Sequence, residues 1–415
     1  MIFRIFDRWD LDTSKIVKRA SVTGLDSLWK SLFGNSGGST EAGVTVTEEN
    51  ALKYTAIFAS IRVLSKTIAS LPFNVIEKTG NNREIATKHP VQHLIHSEPN
   101  DIMTSYGWRE YFMSQMLTSG NAFFHIKRDK NQRPISLTPV LDQDGNPAQV
   151  TAKYKTRLFY EVEGLKTAIP ARDMLHFPFM LVNKTVMSDS PIMTYAKESV
   201  GLGIALDTFS SKFFANGATI AGTLTTPGKL DDPAYERMRT QWNKTYGGVK
   251  KALKVAILEA GTKFEKIGVP PNEAQFIESK TFGISEISRI YGVPLPMLAD
   301  MSRSTFNNIE QQSIDFVIYT LNQYANLIEA ECDRKLFTEE EKRAGTHYVK
   351  LNMNGLLRGD VKSRSQFYKD GIGFGWFTQN EVRMLEDLNP MEGHDELLTP
   401  LNLSTETEKN TEDEG

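Results

Sequence analysis

Hydrophobic and polar positions alternate along this chain in blocks with two different periods, and the blocks predict a mixed α and β protein. Thr47 followed by Glu48 and Glu49 reads as a helix start, a side-chain cap and then acids at the positive dipole end. Tyr54, Phe58, Ile61, Leu64, Ile68 and Leu71 give that helix one apolar face, and Pro72 ends it. Short strands follow near 73–78 and 83–86 around a Gly80-Asn81-Asn82 turn, then a helix over 105–118. Residues 121–178 are β-rich, with alternating segments and an Asp144-Gly145 hairpin signal.

Beyond that point the period changes. From Pro191 to Phe214 an apolar stripe runs through Ile192, Ala196, Val200, Gly203, Leu206, Phe209 and Phe213. It predicts one helix of about 25 residues, roughly 37 Å long. Residues 222–267 read strand–helix–strand: GTLTTP, a helix opening at Asp231-Asp232-Pro233, then KVAILE. A helix over about 272–291 leads into GVPLPMLADMSRSTFNNIEQQ, from Gly292 to Gln312. Pro294 and Pro296 cannot continue a helix, while Ser302, Ser304 and Thr305 offer oxygens to cap a new one. That new helix carries Ile309, Phe316, Leu321, Tyr324, Ile328, Cys332 and Leu336, and runs about 32 residues, roughly 48 Å. A strand at 347–353 and helices near 360–371 and 378–388 complete the ordered part. No internal repeat is visible.

Length and charge narrow the reading. At 415 residues more than one subdomain is expected. The first 46 residues read as an arm, with a helix-spaced cluster (Leu25, Leu28, Trp29, Leu32, Phe33) before a flexible Ser36-Gly37-Gly38-Ser39 hinge. The last fifteen residues carry a net charge of −4 against −3 for the whole chain, so residues 1–400 stand near +1. That balance is no footprint of a tight nucleic-acid clamp. The single cysteine, Cys332, excludes a disulfide framework and Cys-based zinc sites. The charge-broken N-terminus does not read as a secretory signal, and no apolar run reaches membrane-spanning length, so a soluble protein made in a reducing compartment is expected.

Candidate chemistry is sparse. His89, His93 and His96 lack metal-site spacing and read as surface or capping histidines. Asp142 to Gly145 echoes a calcium loop without its remaining ligands and reads as a turn. Gly201 and Gly203 follow no strand and suggest close helix packing, not a dinucleotide motif. His176 reads as a satisfied, half-buried histidine. Glu339, Glu340 and Glu341 form a charged run expected on a solvated face. No phosphate-cradling loop and no nucleophile elbow is present, so neither cofactor nor catalytic activity is expected.

The Gly292–Gln312 segment resembles the HK97-like portal proteins of tailed bacteriophages. The likeness extends over roughly 45–395: YTAIFASIRVLSKTIASLP, HPVQHLIHSEPN, DMLHF at 173–177, SPIMTYAKESVGL, FFANGA, GTLTTPGKL, EAQFIES, GLLRGD at 355–360 and GWFTQNEVR at 375–383. One departure is Ala299, where the family often has glycine before the Asp that ends the loop's first half.

The resemblance implies an α+β portal fold assembled as a ring, with a β-rich wing, long stem helices, a small α/β clip and a helical crown. It maps the wing to 47–189, stem helices to 190–216 and 271–291, the clip to 217–270 and the tunnel loop to 292–305. The long helix and wing return take 306–353, the crown 354–398, with an arm at 1–46 and a disordered acidic tail at 399–415. It further implies a twelve-subunit ring at one capsid vertex, conducting double-stranded DNA non-specifically. The implied partners are the terminase large subunit, the major capsid protein and a head–tail adaptor. By the same resemblance Met297, Met301, Arg303, Ser304 and Asn307 would face the channel. Lys244, Lys250, Lys251 and Lys254 would lie on the clip, where the terminase or adaptor docks. A head–tail adaptor ring and a metal-dependent nucleic-acid-processing enzyme are the alternative readings.

Overall fold

The structure is a computed structural model that describes residues 38–80, 82–215, 222–228, 231–246, 261, 263–266, 273–300, 306–353, 356, 361–386 and 388–398. The arm cluster at 25–33, the KVAILE segment and the acidic tail lie outside these residues. The fold is α+β. Its described sheets are small and antiparallel: three of three strands and two of two.

The chain enters through β1 (Gly38–Ser39) and β2 (Thr45–Val46), which pair with each other. The second half of the expected flexible hinge is therefore a strand. Its turn packs on a later helix: Glu41 N–H donates to Glu198 Oε2 at 3.1 Å, and a Cβ on Gly201 would collide with Thr40. Thr47 caps as expected, in a reciprocal box with Asn50. The helix it opens, α1 (Glu48–Ala51), lasts one turn. Tyr54 is extended (φ −76°, ψ 114°), and α2 (Thr55–Ser70) starts only after it. The single helix expected from Thr47 to Leu71 is thus two, because the Tyr54 side chain is drawn into a contact described below. Leu71 is extended before Pro72, as the proline ring requires.

The main core lies under α2. Ile57, Ile61, Leu64 and Ile68 pack against α4 (Ser105–Ser119), reached after β3 (Phe73–Thr79), β4 (Asn82–Ile85) and α3 (Pro90–His96). Phe73 stacks on Trp108 at 6.4 Å, Trp108 meets Phe112 edge-on at 5.0 Å, and Phe112 stacks on Phe177 at 4.6 Å. Burying each such side chain is worth about 1.5–3 kcal/mol. His89 caps α3, accepting the Val91 N–H on Nδ1, and its Nε2 lies 3.2 Å from Glu341 Oε1.

The sheet region continues with β5 (Asn121–Arg128), β6 (Pro134–Pro139), β7 (Val150–Tyr154), β8 (Leu158–Val162), β9 (Ile169–Pro170) and β10 (Met174–Pro178). β5 lies between β10 and β6, and β8 lies between β7 and β9. At the expected hairpin signal, Asp142 Oδ1 accepts the Asp144 and Asn146 N–H groups at 2.9 and 2.8 Å, and Gly145 has φ 84°.

The rods follow. A π-helical stretch, Ile192–Ala196, leads directly into α5 (Lys197–Ala215). β11 (Gly222–Thr225) pairs with β12 (Lys263–Lys266), with α6 (Asp232–Tyr246) between them in sequence. α7 (Glu273–Tyr291) leads to the proline loop. The long rod is α8 (Phe306–Asp315), a π-helical stretch (Phe316–Leu321) and α9 (Asn322–Leu336) in unbroken succession. Ile192, Ala196 and Val200 are fully buried in the main core. The first part of the expected apolar stripe is thus covered within the chain.

α9 then serves the sheets. α10 (Glu339–Ala344) precedes β13 (His347–Leu351), which pairs with β3 on one edge. On the other edge, Val349 N–H donates to Asp333 Oδ1 at 2.7 Å and Leu351 N–H to Glu329 Oε1 at 2.8 Å. Two carboxylates one helical turn apart thus satisfy alternate amides of an edge strand. The charged run before β13 is only partly solvated: Glu341 closes the capping box with Thr338 and contacts His89. Last come α11 (Val361–Gly373) and α12 (Gln379–Leu385); Phe367 of α11 packs on Trp376 and Phe377 of the turn between them, and Asn380 of α12 donates to Met391 O and Asp395 Oδ1 in the segment that follows.

Candidate channel loop and docking elements

The loop after α7 is built by the residues at its mouth. Gly292 has φ 68°, and its carbonyl accepts the Thr320 hydroxyl at 2.8 Å from the π-helical stretch of the long rod. A Cβ there would stand 2.8 Å from Thr320 Oγ1, so glycine is required both by φ and by space. Ser288 Oγ donates to Val293 O at 2.6 Å, and Val293 is buried. Pro294 is extended and starts a 3-10 turn, Leu295–Leu298, whose end is Ala299 in the left-handed region at φ 64°. The expected departure from glycine thus leaves the turn intact and places an L-residue in a strained conformation. Asp300 N–H returns to Leu295 O at 3.1 Å.

Between this loop and the long rod lies a cavity of about 430 Å³, lined among others by Gly292, Pro294, Leu295, Asp315, Phe316 and Tyr319. Met297 and Leu298 are half-buried and pack against the main core, so the described part of the loop turns those two side chains inward. Met301, Arg303 and Ser304 lie outside the described residues. Asn307 is the second residue of α8, and its side chain is not among those described. Lys244 stands near the end of α6, again with the backbone alone described, while Lys250, Lys251 and Lys254 lie outside.

The rods feeding the loop are locked to each other by polar pairs. Ser199 Oγ donates to Glu286 Oε2 at 2.6 Å, and Lys280 Nζ lies 2.7 Å from Asp207 Oδ1. Tyr291 OH donates to Leu117 O at 3.0 Å, fastening the end of α7 to α4. Burial pushes its phenol pKa upward, with Tyr324 and Glu48 adding to the effect. Tyr54 packs between Gly203 of α5 and Gly283 of α7, and burial, Asp207 and Glu286 all raise its pKa. The expected close helix packing at Gly201 and Gly203 is instead a close approach of Thr40 and of the Tyr54 ring, neither of them on a helix.

The other face of the rods is exposed and apolar. Tyr195, Leu202 and Phe209 recur every seventh residue along the first rod, joined by Ile277 and Phe282 on α7. Phe209 was expected on the same stripe as Ile192, Ala196 and Val200 but is exposed with Tyr195 and Leu202, which the sequence reading missed; the seven-residue spacing was the available signal.

Where the β5–β10 sheet meets α9, a buried polar cluster takes over. Glu331 Oε1 accepts the His176 N–H at 3.1 Å and lies 2.5 Å from Lys335 Nζ, which also donates to Met174 O. His176 Nδ1 lies 3.1 Å from Tyr160 OH and its Nε2 3.0 Å from Asn121 Oδ1. Burial and the Lys335 and Arg334 charges hold the imidazole neutral, with a pKa lowered to about 3. His176 is buried rather than half-buried, and satisfied as expected. Among the described residues no group of three or more His, Cys, Asp or Glu could hold a metal ion, and no helix is long and apolar enough to cross a membrane.

Small antiparallel sheets, two rods, a proline-framed loop and a long rod returning to the sheets make up an α+β fold of the portal class. The family model for phage portal proteins matches residues 55–387, and the chain belongs to that family. It is 34% identical over 373 residues to a probable portal protein of Streptomyces phage phiC31, covering 86% of this chain and 79% of that one. It is 30% identical over 360 residues to the portal protein of Enterobacteria phage HK97, covering 85% of this chain and 82% of that one. Among solved structures, the neck of an empty gene transfer agent particle, determined with sixfold symmetry, superposes with a TM-score of 0.55. It shares 20% identity and covers 83% of this chain and 95% of that one. That likeness is one of fold.

Proposed function

We propose that the chain is the portal subunit of a tailed-phage particle. Its ring of about twelve copies, the number the family resemblance implies, occupies one capsid vertex and nucleates head assembly there. The terminase docks on it, double-stranded DNA passes through it, and it later holds the head–tail adaptor. The observation that carries the reading is the Gly292–Asp300 loop, clasped at its mouth by Thr320 and framed by two rods within a family match over 55–387. Residues 47–189 and the return to 353 act as the wing, 190–216 and 271–291 as the stem, 217–270 as the clip and 354–398 as the crown.

A closed ring needs two different surfaces on each subunit. The exposed Tyr195, Leu202, Ile277 and Phe282 stripe supplies one, since a neighbour would cover it. Met301, Arg303, Ser304 and Asn307 are assigned to the channel by the family resemblance. The near-neutral charge of residues 1–400 suits a channel in which DNA slides, because each neutralised phosphate deepens non-specific binding. Lys244, Lys250, Lys251 and Lys254 offer cations for docking the terminase or adaptor on the clip. The chain performs no catalytic step, and the energy of packaging comes from a separate motor.

Electron microscopy down the particle axis and native mass spectrometry test the ring. A monomer at micromolar concentration would refute it. Shortening 299–304, or Arg303→Glu, should spare the ring and reduce nuclease-protected DNA in mutant procapsids. Wild-type packaging and retention in both variants would make the loop purely structural.

A further inference from the structure

The β7–β8 hairpin stands apart from the main core. It is seated on a second apolar cluster of Tyr160, Val162, Ile169 and Met174, to which Val150, Ala152 and Leu158 contribute. Tyr154, next on the same face, has run past the cluster and is 77% exposed, the highest value among the exposed large hydrophobics. Around it the tip carries Lys153, Lys155 and Arg157, all exposed, and residues 151–160 hold no carboxylate. None of the three cations is in an ion pair among the described residues; Lys155 Nζ lies 5.9 Å from the Phe159 ring centre. Glu161, the first carboxylate down the ribbon, stands opposite Thr151. On a body whose charge is close to zero, this is a local concentration of unpaired positive charge at a convex point.

We infer that the β7–β8 tip is a DNA-backbone contact on the outside of the protein, separate from the channel loop. Three long cationic side chains can each meet a phosphate, and a tyrosine hydroxyl among them is a further phosphate donor. A two-stranded ribbon also fits against the major groove of a duplex. A protein partner fits less well, because a tip of half a dozen residues with one aromatic group is far smaller than a stable protein interface. The contact reads no sequence.

The test uses the assembled ring and closed circular plasmid DNA, which cannot be threaded through a closed channel. Binding is measured between 50 and 200 mM salt for wild type and for the triple variant K153Q/K155Q/R157Q. Loss of three phosphate contacts should flatten the slope of log K against log salt by about 2–3, so that wild type loses about 40-fold more affinity than the variant over that range. The charge-keeping variant K153R/K155R/R157K should bind like wild type, and native mass spectrometry should show all rings intact. Unchanged affinity and slope in the glutamine variant would overturn the inference while leaving the ring and channel untouched. Unchanged DNA binding with loss of the variant from assembled particles would assign the tip to an acidic protein surface, and would overturn it equally.

Discussion

A Cβ placed on Gly203 would lie 2.7 Å from the Cε2 and Cζ atoms of Tyr54. On the opposite side, a Cβ on Gly283 would lie 2.9 Å from the Tyr54 hydroxyl oxygen alone. The Tyr54 ring is thus held between α5 and α7 by two glycines, and each approaches a different part of it.

Gly203→Ala and Gly283→Ala should each destabilise the protein by about 1–3 kcal/mol through overpacking. Their responses to Tyr54→Phe should differ. Removing the hydroxyl relieves the Gly283→Ala clash and leaves the Gly203→Ala clash against the ring. Denaturant midpoints of the singles and doubles measure both coupling energies. Equal rescue of the two alanine variants would contradict this geometry.

Asp333 predicts a pH dependence. Burial raises its carboxyl pKa to about 6 against the Val349 N–H, which favours the charge. A raised acid pKa means the stabilising contribution is fully present below the unfolded value near 4 and is lost as pH rises through about 6. Asp333→Asn keeps an acceptor for Val349 and removes the charge. It should therefore be more stable than wild type at pH 7.5 by about 1 kcal/mol, after allowing for solvent screening at a partly exposed group. The advantage should vanish near pH 4. Chemical denaturation at several pH values checks the sign.

Lys335→Met should cost about 1–3 kcal/mol, because it removes the buried cation from Glu331 Oε1 and the donor from the Met174 carbonyl, while Arg334 still pairs with Glu331 Oε2. Adding Glu331→Gln should recover part of that loss, since the amide oxygen can still accept the His176 N–H. If the double variant is as unstable as the single, the pair's cost lies in packing rather than charge.

Ala299→Gly should stabilise the loop, by about 0.5–1 kcal/mol, because Ala299 occupies the left-handed region at φ 64°. Gly292→Ala should act in the opposite sense and more strongly, since it adds a clash with Thr320 to the same backbone strain. Thermal or denaturant midpoints of the two variants, read together, decide.

Ring assembly should be indifferent to the end of the chain. The acidic stretch after Pro400 has only Leu401 and Leu403 as sizeable apolar groups, too few to supply a subunit contact by apolar burial. Truncation after Pro400 should leave ring size unchanged by native mass spectrometry.

Much of the architecture was legible in the order of residues, because local signals and burial point the same way there. Pro72, Thr338 with Glu341, Thr378 with Glu381 and the Asp142 turn act within a few residues of themselves. Periodicity alone was enough to mark the rods, and the Gly292–Gln312 segment with its companions was enough to mark the family. Tertiary contacts decided what those signals leave open. Thr47 begins a helix, yet Tyr54 stops it because its ring is worth more between Gly203 and Gly283 than on a continuous helix face. Ile192, Ala196 and Val200 face their own core, while Phe209, expected on the same stripe, remains outside with Tyr195 and Leu202, a division that periodicity alone cannot make. The pairing of Glu331 with His176 joins positions 155 residues apart, and that of Asp333 and Glu329 with β13 crosses the intervening α10, so neither follows from the local pattern of either element. Sequence by itself determined the elements and the family; only the folded structure decided which faces meet, because side-chain burial is settled by long-range packing rather than by local propensity.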